Sequence, residues 1–280
     1  MREDLMKNIK LGCFGYFRNI EDIAEAGYDF IEMHTSEILS LDEKSFLAFK
    51  KRLKESPITC DVVNNPFPLN CSITRPEFNQ EEFRDKIYLA AERIRLLGAK
   101  YWNFGNAYSR ALPEGGEKEE AYQKFLKAFL MVCDAAEMNG IIVVLEPLAR
   151  CLTNNLTTLP AVVQFMEKMQ FPSVKTMIDM RWQVAEKRPM EEIYDYAPYI
   201  VHAHIDNPDT DYAVKKIRCT PKAEDPYDYT EFLDFAKSES YSGGLSIEAN
   251  TFDNFYKEIR DAIGFFSRHG ISSYRNSMYN

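Results

Sequence analysis

The chain has no CxxC pair, no glycine-rich phosphate loop, no apolar run of membrane length and only four histidines. Each absence removes a class of function. The six cysteines (Cys13, Cys60, Cys71, Cys133, Cys151 and Cys219) are scattered, so they read as free thiols in a reducing compartment rather than a disulfide framework or zinc knuckle. No stretch approaches the roughly 18 apolar residues of a membrane span. The start, Met1 to Lys7, carries charges where a secretory signal needs an apolar core, and the expected location is the cytoplasm. Positive charge is also short: 34 Lys and Arg stand against 43 Asp and Glu, a net charge of -9. A field of that sign repels phosphate backbones and anionic lipid, which argues against nucleic acid and membrane surfaces as partners.

What is present suits one large core. The 280 residues are 45% hydrophobic and 13% aromatic, a size compatible with a single domain spanning 1–280. An apolar strand, a polar loop and an amphipathic helix recur along the whole length. Strands are expected at about 9–14, 30–34, 58–64, 101–105, 141–146, 174–179, 200–204 and 244–248. Helices are expected near 19–26, 41–54, 80–97, 117–138, 158–169, 190–197, 228–238 and 253–267, several ending at a glycine such as Gly27, Gly98 or Gly140. A doubly wound sheet would carry GxGxxG after its first strand, and Gly12 to Gly15 does not match it. Eight alternating pairs predict an α/β fold, a single (β/α)8 TIM barrel.

Four of these strands end alike. Glu146, Asp179, His204 and Glu248 close the fifth to eighth apolar runs. Any one alone is as well explained by a solvated loop-edge charge; four in succession are not. Active groups of such barrels sit at the carboxyl ends of the strands. Alternation along a strand puts Glu146 on the face of Val144, Asp179 with Met177, His204 with His202, and Glu248 with Ser246. Three oxygen donors and one imidazole suit a divalent ion of intermediate hardness, Mn²⁺ first, with Co²⁺, Mg²⁺ or Zn²⁺ as alternatives. His202, one layer lower, is expected to be a hydrogen-bonded supporting histidine, and Trp102 to be core.

The segment Leu145 to Arg150, followed by Thr153 and Asn154, resembles the strand-five motif of the xylose-isomerase-like sugar (phosphate) isomerase/epimerase superfamily. Phe104 to Gly115, with its Arg110-x-x-Pro113 core, is similar to that family's strand-four loop. The resemblance spans nearly the whole chain. It implies an ion held by Glu146, Asp179, His204 and Glu248, with Glu146 and Glu248 as an acid–base pair. One would take a proton from carbon beside a carbonyl and the other return it through an enediolate, isomerising or epimerising a ketose, sugar phosphate or related polyol. A carboxylate in that role is worth about 10²–10⁴-fold.

The chain departs from the family pattern at two substrate-contact positions, where Leu152 and Trp182 replace a glutamate and a histidine. Arg150, Arg181 and Trp182 are expected to take over there. Glu32 and His34 at the end of the second strand, Asn64 after the third and Arg110 after the fourth are further candidate substrate contacts, each balanced by a capping or turn role. A lyase on the same apparatus, dehydrating an inosose or eliminating an aglycone from a 3-keto C-glycoside, is the alternative. An apolar wall at Leu152 and Trp182 would suit an aromatic leaving group. A non-catalytic sugar-binding barrel ranks below it. Abasic-site endonucleases share the barrel, but their zinc cluster needs more histidines than His34, His202, His204 and His269 supply. The tail from Ser272 is available to pack on a second copy, so a homo-oligomer is compatible with the sequence.

Overall fold

The computed structural model describes residues 7–115, 117–170 and 173–277. Most of the charged start and the last three residues of the tail lie outside the described residues, as does Pro172. Eight parallel strands form the main sheet: β1 Leu11–Phe14, β2 Phe30–His34, β3 Thr59–Asn64, β4 Tyr101–Phe104, β5 Ile142–Leu145, β6 Val174–Asp179, β7 Ile200–Ile205 and β8 Gly244–Ile247. They are hydrogen-bonded in chain order and the eighth returns to the first, a closed (β/α)8 barrel. Every expected strand is present within two residues at either end. No described helix is long and apolar enough to cross a membrane.

The chain divides into two compact units. The first comprises the described residues of 1–32, 55–59 and 177–280. Its strands pair with Gly12 opposite Phe30 and Ser246, and His202 opposite Gly244. Gly12 is there because Phe30 fills the space beside it. A Cβ at position 12 would run into the Phe30 ring and lie 2.7 Å from Ser246 Oγ. Tyr28 Oη donates to Ile259 O (2.7 Å), fastening β2 to the amphipathic helix Phe255–Arg268, whose apolar face is Ile259, Ala262, Phe265 and Phe266. At the amino ends of the strands, Asp29 accepts from the backbone N–H groups of Leu11, Tyr274 and Arg275. The two-residue strands Lys7–Asn8 and Ile271–Ser272 pair beside this knot.

The second unit comprises the described residues of 33–54 and 60–176. Its strands run β3, β4, β5 and the start of β6 in parallel register. Phe104 packs edge-on against Phe125 and Phe129 of the helix Lys118–Met138, and Phe129 meets Phe165 of the helix Leu159–Met169. Trp102 is core, as expected, fully buried with its indole N–H on Thr35 Oγ1 at 2.9 Å.

Two features differ from expectation. The helix expected near 190–197 is a single turn, Glu192–Asp195, followed by a 3-10 turn, Ala197–Tyr199. Pro198 lies in that stretch and lacks the N–H a continuing helix needs. Short helices also follow β2 and β6, at Thr35–Ser40 and Met180–Ala185. Too brief to show an apolar period, they leave no sequence signal beyond their first residues.

Candidate metal and acid–base site

Three of the four singled-out strand-end residues belong to the first unit. Asp179 closes β6 and caps the short helix after it, accepting from the Arg181 backbone N–H at 2.8 Å. His204 lies in β7 and Glu248 follows β8 directly. Each offers a ligand atom, and those atoms lie within 4.8 Å of one another. His204 Nδ1 is 2.8 Å from Glu248 Oε2, yet neither buried atom has an aligned hydrogen-bond partner among the described residues. Close but misaligned donors are what groups aimed at a common third point present, and two carboxylates with an imidazole nitrogen fit a divalent ion. Exposure separates the three: the Glu248 side chain is 26% accessible, those of Asp179 and His204 0% and 1%.

Beneath this triple lies a second layer. Glu32, wholly buried on β2, receives His202 Nε2 on one oxygen (2.9 Å) and His204 Nε2 on the other (2.8 Å). Burial would raise the Glu32 carboxyl, but the two imidazoles outweigh it and hold it well below the ordinary value. Burial would lower the His204 imidazole, but Glu32 and Glu248 raise it well above its ordinary value. Glu32, a candidate substrate contact or second-layer support on the sequence, is placed with one oxygen on each imidazole. His202 is the supporting histidine that its lower position suggested.

Arg218, which ties these carboxylates together, is not singled out by the sequence. Arg218 Nη2 lies 2.8 Å from Asp179 Oδ2, Nε 2.8 Å from Asp206 Oδ2 and Nη1 2.8 Å from Glu248 Oε2. The Trp182 and Tyr212 rings flank its guanidinium at 5.3 and 5.8 Å. Asp206 also takes Arg181 Nε at 2.7 Å. Arg181, expected at a substrate, is 4% exposed and holds the loop beyond β7 through Asn207 O, Pro208 O, Thr210 O and Thr210 Oγ1. Burial raises the Asp179 carboxyl to about 6 despite Arg218, with Glu248 and Asp206 adding to the rise. Burial would raise Glu248 too, but Arg218 and His204 bring it down to about 2. No motif marks Arg218; its only signal is being the one arginine between Asp206 and Thr230.

The second unit carries the remaining candidates. Glu146 follows β5 and is buried, with Oε2 accepting from Asn103 Nδ2 at 3.0 Å. Gly105 makes room for it, since a Cβ there would collide with that oxygen. The same Asn103 amide donates to Asn64 Oδ1 at 2.6 Å, so Asn64 joins the Glu146 network. Arg110, expected to grip a ligand, is fully buried and donates to the carbonyls of Phe104, Glu146 and Leu156. Burial lowers its guanidinium to about 10, partly offset by Glu146. These bonds fasten the loops after β4 and β5. His34 is half-buried with Nδ1 3.4 Å from Asn65 Nδ2, and Arg150 is exposed.

The family described as xylose isomerase-like TIM barrel matches residues 20–269, and the chain belongs to it. No curated protein matches the sequence. Solved structures do. D-allulose 3-epimerase from Methylomonas sp. shares 15% identity over 95% of this chain and 99% of its own, with a TM-score of 0.76. The 3-keto-D-glucoside 4-epimerase from E. coli shares 15% over 92% and 98%, at 0.74. The probable 3-DHS dehydratase of petrobactin synthesis from Bacillus anthracis shares 14% over 91% and 97%, at 0.69. At these identities the likeness is one of fold.

Proposed function

We propose that this chain, acting as one barrel domain in the cytoplasm, is a divalent-metal-dependent isomerase or epimerase of a ketose, sugar phosphate or related polyol. Glu146, Asp179, His204 and Glu248 would hold the ion, Mn²⁺ in first place, with Glu146 and Glu248 as the acid–base pair. The observation that carries the reading is the convergence of Asp179, His204 and Glu248 with Glu248 alone open to solvent. Two of the similar folds are described as sugar epimerases, which agrees with it.

A divalent ion in this set would supply positive charge to a carbonyl oxygen as the neighbouring C–H bond breaks, worth several kcal/mol. Glu248, held ionised by Arg218 and His204, is in the form that accepts a proton at neutral pH. Glu32, by receiving the His204 Nε2–H, would leave Nδ1 as the nitrogen offered to the ion. Asn103 fixes the Glu146 carboxylate, and Arg110 fixes the backbone that carries it. Trp182, His34, Asn64 and Arg150 remain the proposed substrate contacts, while Glu32, Arg110 and Arg181 act by positioning.

A lyase reading is favoured by one observation. Trp182 is 6% exposed and stacked edge-on with Tyr212 beside Arg218, an aromatic wall where the family pattern has a histidine. Incubating the protein with Mn²⁺ and a panel of ketoses, ketose phosphates and 3-keto glycosides in D₂O separates the two. Epimerisation or isomerisation returns a product of unchanged mass apart from deuterium; elimination loses water or aglycone. Absence of both deuterium exchange and turnover across the panel would leave a binding protein.

A further inference from the structure

The loop from Asp206 to Arg218 returns a positive charge to the carboxylates it leaves. Arg218 is fixed by its backbone: its N–H donates to Asn250 Oδ1, and its carbonyl accepts from the N–H groups of Asn250 and Thr251, all at 3.0 Å. Its side chain is 5% exposed and its guanidinium reaches three carboxylates at 2.8 Å. Asp206 has a second arginine, Arg181, for its charge. Asp179 is ion-paired with Arg218 alone among the described residues, and Glu248 with Arg218 and His204.

Asp179 and Glu248 are also two of the proposed ion ligands. A planar fork of donors that meets both does electrostatically what a dication would do there. Without either, the buried Asp179 carboxylate would have no ion pair among the described residues and Glu248 would keep His204 alone, so the two would repel each other. A fixed positive charge in contact with two ligands also repels any dication they bind.

We infer that Arg218 is the resident counter-cation of Asp179 and Glu248, holding the two carboxylates together when no ion is bound and keeping the bound ion weak enough to exchange. This rests on the metal reading above. It predicts two effects of opposite direction from one substitution. Removing the charge tightens ion binding, and it destabilises the ion-free protein.

Wild type, Arg218→Met and Arg218→Lys are purified, stripped with chelator and dialysed. Mn²⁺ binding is then measured by calorimetry, and thermal unfolding with and without Mn²⁺. Arg218→Met should bind Mn²⁺ roughly tenfold or more tightly than wild type. Its ion-free form should melt lower, with Mn²⁺ restoring most of the loss. Arg218→Lys keeps the charge but loses the fork, so its affinity should stay near that of wild type. It also supplies a folded comparison should the methionine variant need Mn²⁺ to fold. Equal or weaker binding by Arg218→Met, or equal tightening by the lysine variant, overturns the inference while leaving the ion site standing. If neither wild type nor Arg218→Met binds Mn²⁺, the metal reading fails and takes this inference with it. Binding by Arg218→Met alone would support the inference in its strongest form.

Discussion

Glu32 and His204 form a buried pair, carboxylate oxygen to imidazole Nε2 at 2.8 Å, and this contact decides which nitrogen the ring turns toward Glu248. The pair joins β2 to β7, and its second oxygen gathers His202 into the same bridge. Replacing Glu32 with Gln puts an amide donor against a ring N–H. A loss of about 3 kcal/mol or more is expected, with ion affinity weaker by about 10–100-fold. Urea unfolding and calorimetry read the two effects, and a variant as stable and as tightly binding as wild type would contradict them.

The same carboxyl sets a pH dependence. Its folded-state value lies well below the ordinary 4.5, so its contribution is complete above that pH and lost as pH falls through the folded value. In chelator, wild-type stability should therefore fall as the solution is acidified below about pH 4.5. Glu32→Gln should show a flatter slope over that window.

Glu248→Gln keeps the size of the side chain and removes its ability to take a proton. Turnover should fall by about 10²–10⁴-fold or more. Circular dichroism and melting in the presence of Mn²⁺ should stay close to those of wild type. Substantial residual activity would remove Glu248 from the acid–base role.

Arg181 clamps the segment from Asp206 to Thr210 through its fork. Arg181→Met leaves Asp206 with one arginine and takes a donor from the carbonyls of Asn207, Pro208 and Thr210, of which Asn207 and Thr210 keep another. We expect a cost of about 3 kcal/mol and faster hydrogen exchange confined to that segment. Arg181→Lys should recover little of it, because a single ammonium cannot span the same acceptors.

Of the cysteines, only Cys151 is exposed; Cys13, Cys60 and Cys133 are buried. A thiol reagent applied to the native protein should label Cys151 fast, with the rest following only on unfolding. Rapid labelling of a second thiol would show that the loops around Cys71 or Cys219 open readily.

The barrel and the ends of its strands are legible because their signals are local. Val174 to Asp179 and Ile200 to His204 announce themselves by a short apolar run closed by an ionisable residue. Alternation alone places Asp179 and Met177, or His204 and His202, on one face. Roles that depend on distant partners leave no such trace. Glu32 and His202 are 170 positions apart and Glu32 and His204 are 172 apart, so nothing nearby marks Glu32 as a bridge rather than a substrate contact. Arg110 stands in a recognisable motif, yet the motif does not say that the guanidinium points inward to three carbonyls.

The order of elements, the faces of the strands and the residue types at their ends were settled by the chain's own pattern, because period and capping act over a few neighbouring residues. Tertiary structure alone decided how those ends are wired: that Arg218 would sit among Asp179, Asp206 and Glu248, that Arg181 would tie a loop, and that Glu32 would orient two imidazoles. Charge pairing in a buried space is a property of positions brought together by closure of the sheet, and such positions have no fixed spacing along the sequence.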